Sequence, residues 1–193
     1  AYLVAADQSG AERVVRLDAS DARQPRAIAE IEFDRSIRIT DIAANENWLA
    51  VIGGSEQIGA DAQLFLYALS SGAPQEAGVL QIPANTIEVQ VGEQWIILGQ
   101  SDPFGRTGAE TFLSIAALPT LDPLAQITVP GVHEVALAGQ LVLVPMEQDN
   151  RLFVFDLSDP AEPRAVGAFD LGSTSGELAF NSNYVAVGHR GMG

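Results

Sequence analysis

Apolar residues in this chain recur two apart in short runs, and the runs themselves recur. Five segments superimpose: Tyr2-Leu-Val-Ala-Ala-Asp, Trp48-Leu-Ala-Val-Ile-Gly, Trp95-Ile-Ile-Leu-Gly-Gln, Leu141-Val-Leu-Val-Pro-Met and Tyr184-Val-Ala-Val-Gly-His, with first residues 46, 47, 46 and 43 positions apart. Six residues before the last four starts stands an aliphatic residue (Ile42, Val89, Val135, Leu178), and four before stands another apolar one (Ala44, Val91, Leu137, Phe180). An apolar period of two is that of a strand. The second half of each unit repeats as well. Val15 to Pro25 matches Val154 to Pro163 in character, while 64–74 and 112–123 keep the strand and the Pro but carry Ala68 and Ala116 in place of Asp18 and Asp156. A further apolar stretch follows each Pro. The unit therefore reads as four short strands, and no window of a dozen residues shows helical i, i+3, i+4, i+7 spacing without an interrupting Gly or Pro.

A repeat of about 40 to 50 residues holding four strands predicts an all-β fold of four-stranded antiparallel β-propeller blades. One such sheet cannot bury two apolar faces alone, whereas sheets stacked face to face bury them on each other. A β-sandwich does not require a fixed repeat, and a β-helix coil is usually shorter. The predicted units are 1–34, 35–82, 83–130, 131–170 and a partial 171–193, together one domain or a segment of one. Strands within a unit are labelled A to D, for example A at 177–181, B at 184–188, C at 152–157 and D at 164–169. The chain opens within a B strand and closes on one. That order predicts an arc of a larger propeller of about six to eight blades, its apolar end faces covered by self-association or by another chain that completes the ring. A self-closed four-bladed ring is the alternative.

The copy running from Arg151-Leu-Phe-Val-Phe-Asp-Leu-Ser-Asp-Pro-Ala-Glu-Pro-Arg-Ala-Val-Gly to the Tyr184-Val-Ala-Val strand resembles the LVIVD-type repeat of bacterial and archaeal propellers. The likeness extends at repeat level over essentially the whole chain and is weakest in the two middle copies. It implies a propeller that is exported or surface-associated, and it carries no catalytic residue across.

Composition sharpens this. The 193 residues are 47% apolar and carry a formal net charge of −15, with 25 acidic residues against ten basic ones, all of them Arg. A chain this apolar is not a disordered acidic tail, and its charge opposes binding to phosphate backbones, so nucleic acid is not an expected partner. No run approaches the roughly 18 to 20 apolar residues of a membrane-spanning helix. The absence of Cys removes disulfides, thiolate metal sites and Cys nucleophiles together.

In a propeller the B–C and D–A connections gather on one face, where binding residues usually sit on a rigid scaffold. The B–C loops supply Asp7, Glu56, Asp61, Asp102, Glu147 and Asp149 against Arg106 and Arg190. These eight residues form the expected partner-binding face. A carboxylate also stands seven residues before each of the last four B strands: Asp41, Glu88, Glu134 and Glu177. Strand A lines the channel of a propeller, so these four are candidate ligands for a cation such as Ca²⁺, which prefers hard oxygen donors. The competing role is structural, with each acid accepting backbone N–H bonds at the start of strand A. The Asp-x-Ser-Asp pattern at 18–21 and 156–159 reads as turn chemistry, because Asp and Ser cap their own backbone.

Enzyme motifs are near misses. His133-Glu134 begins like H-E-x-x-H, but Leu137 replaces the second His on what reads as a strand, and 172–176 has Thr174 where a nucleophile elbow needs Ser. Tyr2, Trp48, Trp95 and Tyr184 share one repeat position, which predicts packing between blades rather than a carbohydrate platform. The expected function is a non-enzymatic interaction module for a protein or surface partner, outside the cytoplasm, or a structural subunit of a larger assembly. The enzymatic alternative is a propeller hydrolase or lyase with a cation on the four carboxylates and His133 as base.

Overall fold

The computed structural model describes residues 1–6, 10–21, 23–55, 61–69, 73–101, 110–130, 134–146, 150–171, 175–180 and 185–189, and all regular structure in them is β. The first sheet has three strands, β1 (Tyr2–Ala6), β2 (Glu12–Asp18) and β3 (Arg26–Glu32). Three four-stranded sheets follow. They comprise β4 (Arg38–Ala44), β5 (Trp48–Gly54), β6 (Ala62–Ala68) and β7 (Gln75–Ile82); β8 (Thr86–Val91), β9 (Trp95–Gln100), β10 (Glu110–Ala117) and β11 (Pro123–Pro130); and β12 (Ala136–Ala138), β13 (Leu141–Met146), β14 (Arg151–Asp156) and β15 (Arg164–Asp170). The pair β16 (Ser175–Phe180) and β17 (Val185–His189) closes the list. Neighbours in each sheet are consecutive in sequence and antiparallel, so the strand order is B-C-D, three times A-B-C-D, then A-B, as the repeat predicts. The sheets fall within the predicted repeat units.

Two compact units hold these sheets, Ala1–Ala84 with the first two and Asn85–Gly193 with the remainder. Within the first unit, Val14 of β2 and Tyr2 and Ile31 beside it meet Leu49, Val51, Phe65 and Tyr67 of the second sheet. Phe33, in the D–A connection, wedges between them, its ring edge-on to Phe65 at 5.2 Å and to Tyr67 at 6.4 Å. Within the second unit, Trp95, Ile97, Leu113, Ile115 and Val129 of the third sheet pack on Val135, Val142, Val144, Phe155 and Leu157 of the fourth. The fourth sheet turns a second apolar surface the other way, where Ala136, Leu143, Leu152 and Val154 cluster. The aromatic position of the repeat is thus a packing position at Tyr2 and Trp95. Gly92 is required there, since a Cβ would come within 2.8 Å of the Trp95 ring.

Every outer strand is irregular at one place. A bulge separates Arg16 from Leu17, Leu66 from Tyr67, Ile115 from Ala116 and Val154 from Phe155 on the C strands, so one residue of each facing D strand (Ile28, Ala77, Leu124, Val166) has no partner in the register. Pro25, Pro74 and Pro163 directly precede β3, β7 and β15, and Pro123 opens β11. Proline fits the first residue of an edge strand because a missing N–H there breaks no interior ladder bond.

The Leu113→Ala variant, at a fully buried position between two sheets, is expected to lose about 2 to 5 kcal/mol of stability. Ile28→Ala, at a bulged residue that is 55% exposed, should stay within about 0.5 kcal/mol of the parent. Urea denaturation followed by Trp fluorescence checks both. Burial beside Phe33, reinforced by the Glu76 charge, pushes the Tyr67 hydroxyl up to about 12. Its folded value lies above the unfolded one near 10, so the neutral tyrosine favours the folded state fully below pH about 10, and that contribution is lost as pH rises through about 12. Ultraviolet titration should show a tyrosine ionising near pH 12 that vanishes in Tyr67→Phe.

Candidate functional site

The strand ends that carry the B–C and D–A connections define the site, and the first unit shows how the chain builds it. Glu12 opens β2 at the end of the B–C connection, and Arg38 opens β4 at the end of the D–A connection. The half-buried Glu12 carboxylate accepts the Ile39 backbone N–H through Oε2 and lies 3.5 Å from Arg38 Nη1 through Oε1. Arg38 also donates to the Gly10 carbonyl at 2.7 Å, and the Phe33 N–H donates to the Glu12 carbonyl at 3.1 Å. Two connections from different sheets are thereby clamped together at one end of the unit.

Around this clamp lies a cleft of about 490 Å³ lined by Ala11, Glu12, Arg13, Glu32, Phe33, Asp34 and Arg35. Asp34 and Arg35 stand exposed at its lip and Arg13 is half-buried. Arg13 pairs with Glu30 at 2.9 Å, an exposed contact of the kind worth about 0.2 to 1 kcal/mol. Its Nε is shielded from solvent and has no hydrogen-bond partner among the described residues. The Asp34 carboxylate caps its own turn, accepting from the Ser36 N–H at 2.8 Å and the Ser36 hydroxyl at 2.7 Å. Those two bonds hold its pKa below the usual aspartate range. The cleft thus presents both signs of charge on a backbone fixed from beneath by Phe33.

The structure places the sequence-predicted residues as follows. Asp61 is exposed and directly precedes β6. Asp7, Glu56, Asp102, Arg106, Glu147, Asp149 and Arg190 lie outside the described residues, as do His133 and Tyr184. Asp41, Glu88 and Glu134 are half-buried at equivalent positions. Asp41 Oδ1 accepts the Ile42 N–H at 2.8 Å, and Glu88 Oε1 accepts from Gln90 Nε2 at 3.1 Å. The inner strands slip register just before Asp41 and Glu88, and around Glu177 between Ser175 and Leu178. These bonds to Asp41 and Glu88 are both local and lie beside a register slip. Among the described residues, no three His, Asp or Glu side chains converge in a geometry that could hold a metal ion.

The Asp-x-Ser-Asp segments are paired turns with matching geometry. Asp18 and Asp156 accept the N–H of Ser20 and Ser158 at 2.9 and 2.8 Å, while Asp21 and Asp159 accept those of Arg23 and Ala161 at 3.0 and 3.1 Å. Their carboxylates are occupied by the chain itself.

No protein-family model matches the chain, and no curated protein matches it by sequence. Solved structures do. Sqt1 from Chaetomium thermophilum superimposes with a TM-score of 0.57 at 11% identity over 79% of this chain and 41% of its own. The β-propeller domain of the trilobed protease from Pyrococcus furiosus gives 0.53 at 11% over 78% and 48%. The periplasmic gluconolactonase PpgL from Pseudomonas aeruginosa gives 0.55 at 15% over 90% and 52%. The chain spans about half of these relatives or less. At such identities the likeness carries the fold: the sheets are β-propeller blades.

The backbone N–H groups of Ser20 and Ser36, and after them the serine hydroxyls, lower the Asp18 and Asp34 carboxyls relative to an unfolded aspartate. Their contribution to stability is therefore complete above the unfolded value near 3.9 and is lost as pH falls through the lower folded value. Carboxyl-detected NMR titration should give both midpoints below those of unstructured aspartate, and Ser36→Ala should move the Asp34 midpoint upward.

Proposed function

We propose that the chain is a non-enzymatic propeller module that binds a protein or surface partner through its loop end, outside the cytoplasm, within the LVIVD-type repeat group that its 151–188 segment resembles. The observation that carries this reading is the charged cleft around the Glu12–Arg38 clamp. Arg13, Arg35, Glu32 and Asp34 are displayed on a backbone already fixed by hydrogen bonds, so a partner meets a preorganised surface and little ordering cost remains. Complementary charge at such a rim governs encounter rate and choice of partner more than raw affinity. The acidic surface and the absence of Lys suit a solvated, salt-exposed setting. The solved relatives include a protease domain and a lactonase, so the fold by itself supports neither an enzyme nor a binder.

The competing reading, a hydrolase or lyase with Ca²⁺ on Asp41, Glu88, Glu134 and Glu177, separates by melting temperature. A cation present at a hundred times its Kd adds about 2.7 kcal/mol. We expect no rise in Tm with millimolar Ca²⁺; a rise reversed by chelator overturns the interaction-module reading. In the same material, the double variant Arg13→Glu/Arg35→Glu should keep its Tm within a few degrees and lose, at least tenfold, the partner retained by the parent chain on affinity capture at low salt.

A further inference from the structure

The cleft beside the Glu12–Arg38 clamp is built for a ligand of mixed charge, and we infer that it takes a peptide segment carrying a carboxylate next to a cationic side chain. The carboxylate meets Arg35 and Arg13, and the cation meets Glu32. This ligand class rests on the interaction-module reading above and narrows it.

The fold already engages most of the acids at this cleft. Glu12 uses both carboxylate oxygens, one on the Ile39 N–H and one toward Arg38. Glu30 is held by Arg13 Nη1 at 2.9 Å, and Asp34 Oδ1 accepts both the N–H and the hydroxyl of Ser36. Two charged groups are left over. Glu32 and Arg35, both exposed, make no hydrogen bond or ion pair among the described residues. Arg13 adds part of a third, because Nη1 is given to Glu30 while the shielded Nε has no partner among the described residues. A donor left unsatisfied in this way costs free energy in the unliganded protein, and an acceptor oxygen brought to it recovers that cost. The planar fork of a guanidinium matches a carboxylate in particular. The free set is therefore two guanidinium groups for an anion and one carboxylate for a cation.

The distribution of charge along the chain selects the same ligand. Residues 10–38 hold six Arg and six acidic residues, whereas the rest of the chain holds four Arg against nineteen acidic residues. A ligand that is acidic throughout is repelled by that remainder, and one that is basic throughout is drawn to all of it rather than to the cleft. A segment with both signs avoids both outcomes and gains only where free Arg and free Glu stand together. The room is adequate, since about 490 Å³ falls within the span of roughly 300 to 1,000 Å³ typical of ligand pockets. The lip is also fixed in advance, because Phe33, between Glu32 and Asp34, is buried against Phe65 and Tyr67.

The test titrates the nitrogen-15-labelled 193-residue chain with three capped peptides: acetyl-Gly-Lys-Gly-Asp-Gly-amide, and the same frame with two Asp or with two Lys. The mixed peptide should shift the amides of Glu32 and Arg35 and the side-chain Nε–H signals of Arg13 and Arg35, and should bind at least tenfold more tightly than either single-sign peptide. Arg35→Glu should reverse the order and make the two-Lys peptide the tightest, with the Phe33 and Ser36 amides unmoved in the free variant as the check on folding. Glu32→Gln should remove the advantage of the mixed peptide over the two-Asp peptide. A fourth peptide, with Lys and a free C-terminus in place of Asp, assigns the carboxylate to a chain end if it binds more tightly than the mixed peptide and to a side chain if it binds less tightly. Cleft signals that do not move at millimolar mixed peptide, equal affinity for the three sign patterns, or an order unchanged by Arg35→Glu each overturn the ligand class. In those cases a partner still lost by Arg13→Glu/Arg35→Glu on affinity capture leaves the interaction-module reading standing with a different ligand, while equal retention by parent and double variant overturns the cleft as the docking site as well.

Discussion

A sheet that is apolar on both faces cannot stand in water, and that constraint organises this protein. In β5, Leu49 and Val51 point one way and Ala50 and Ile52 the other, and all four are sealed from solvent. Burying one such leucine or isoleucine contributes about 1.5 to 3 kcal/mol, against about 1 to 2 kcal/mol to fix the backbone of each residue. A single sheet covered on neither face would lose that balance. Stacking recovers it, and the largest core of each unit is made from two sheets rather than one.

The connection between β3 and β4 inherits its rigidity from the strands beneath it. Phe33 belongs to a connection yet packs as a core residue against Phe65 and Tyr67, which fixes the peptide carrying Asp34 and Arg35. Glu12 and Arg38 do the equivalent work with charge. The acidic turns at Asp18, Asp21, Asp156 and Asp159 are a different use of the same residue type, since those carboxylates are spent on their own backbone. These four of the 25 acidic residues keep their charge while accepting local backbone N–H groups.

Much of the fold was legible in the sequence because it repeats. The spacing of Tyr2, Trp48, Trp95, Leu141 and Tyr184 placed the B strands within one residue of β1, β5, β9, β13 and β17, and the Asp-x-Ser-Asp turns were readable from side-chain chemistry alone. The charged cleft was not, for the same reason: comparing copies rewards positions that recur. Glu12 occupies a site held by Ala62 and Asn150 in other copies, so its bond to Ile39 leaves no periodic trace. The four carboxylates before the B strands did recur, and the inner strands slip register just before Asp41 and Glu88, a detail the repeat alone does not display. The bulges on the outer strands were also hidden, because an extra residue in a short strand resembles a change of loop length.

Those outer bulges bear on how the molecule behaves in a crowd. An exposed strand is a template on which another chain can extend a sheet, and repeated extension is how fibrils grow. In β3, β7, β11 and β15 a proline stands at or just before the first residue and one later residue is out of register, so a second strand laid alongside loses its ladder within a few residues. The protein can therefore keep Ile28, Val79 and Val166 on its rim, each at least 45% exposed, because those side chains sit on edges that are difficult to copy.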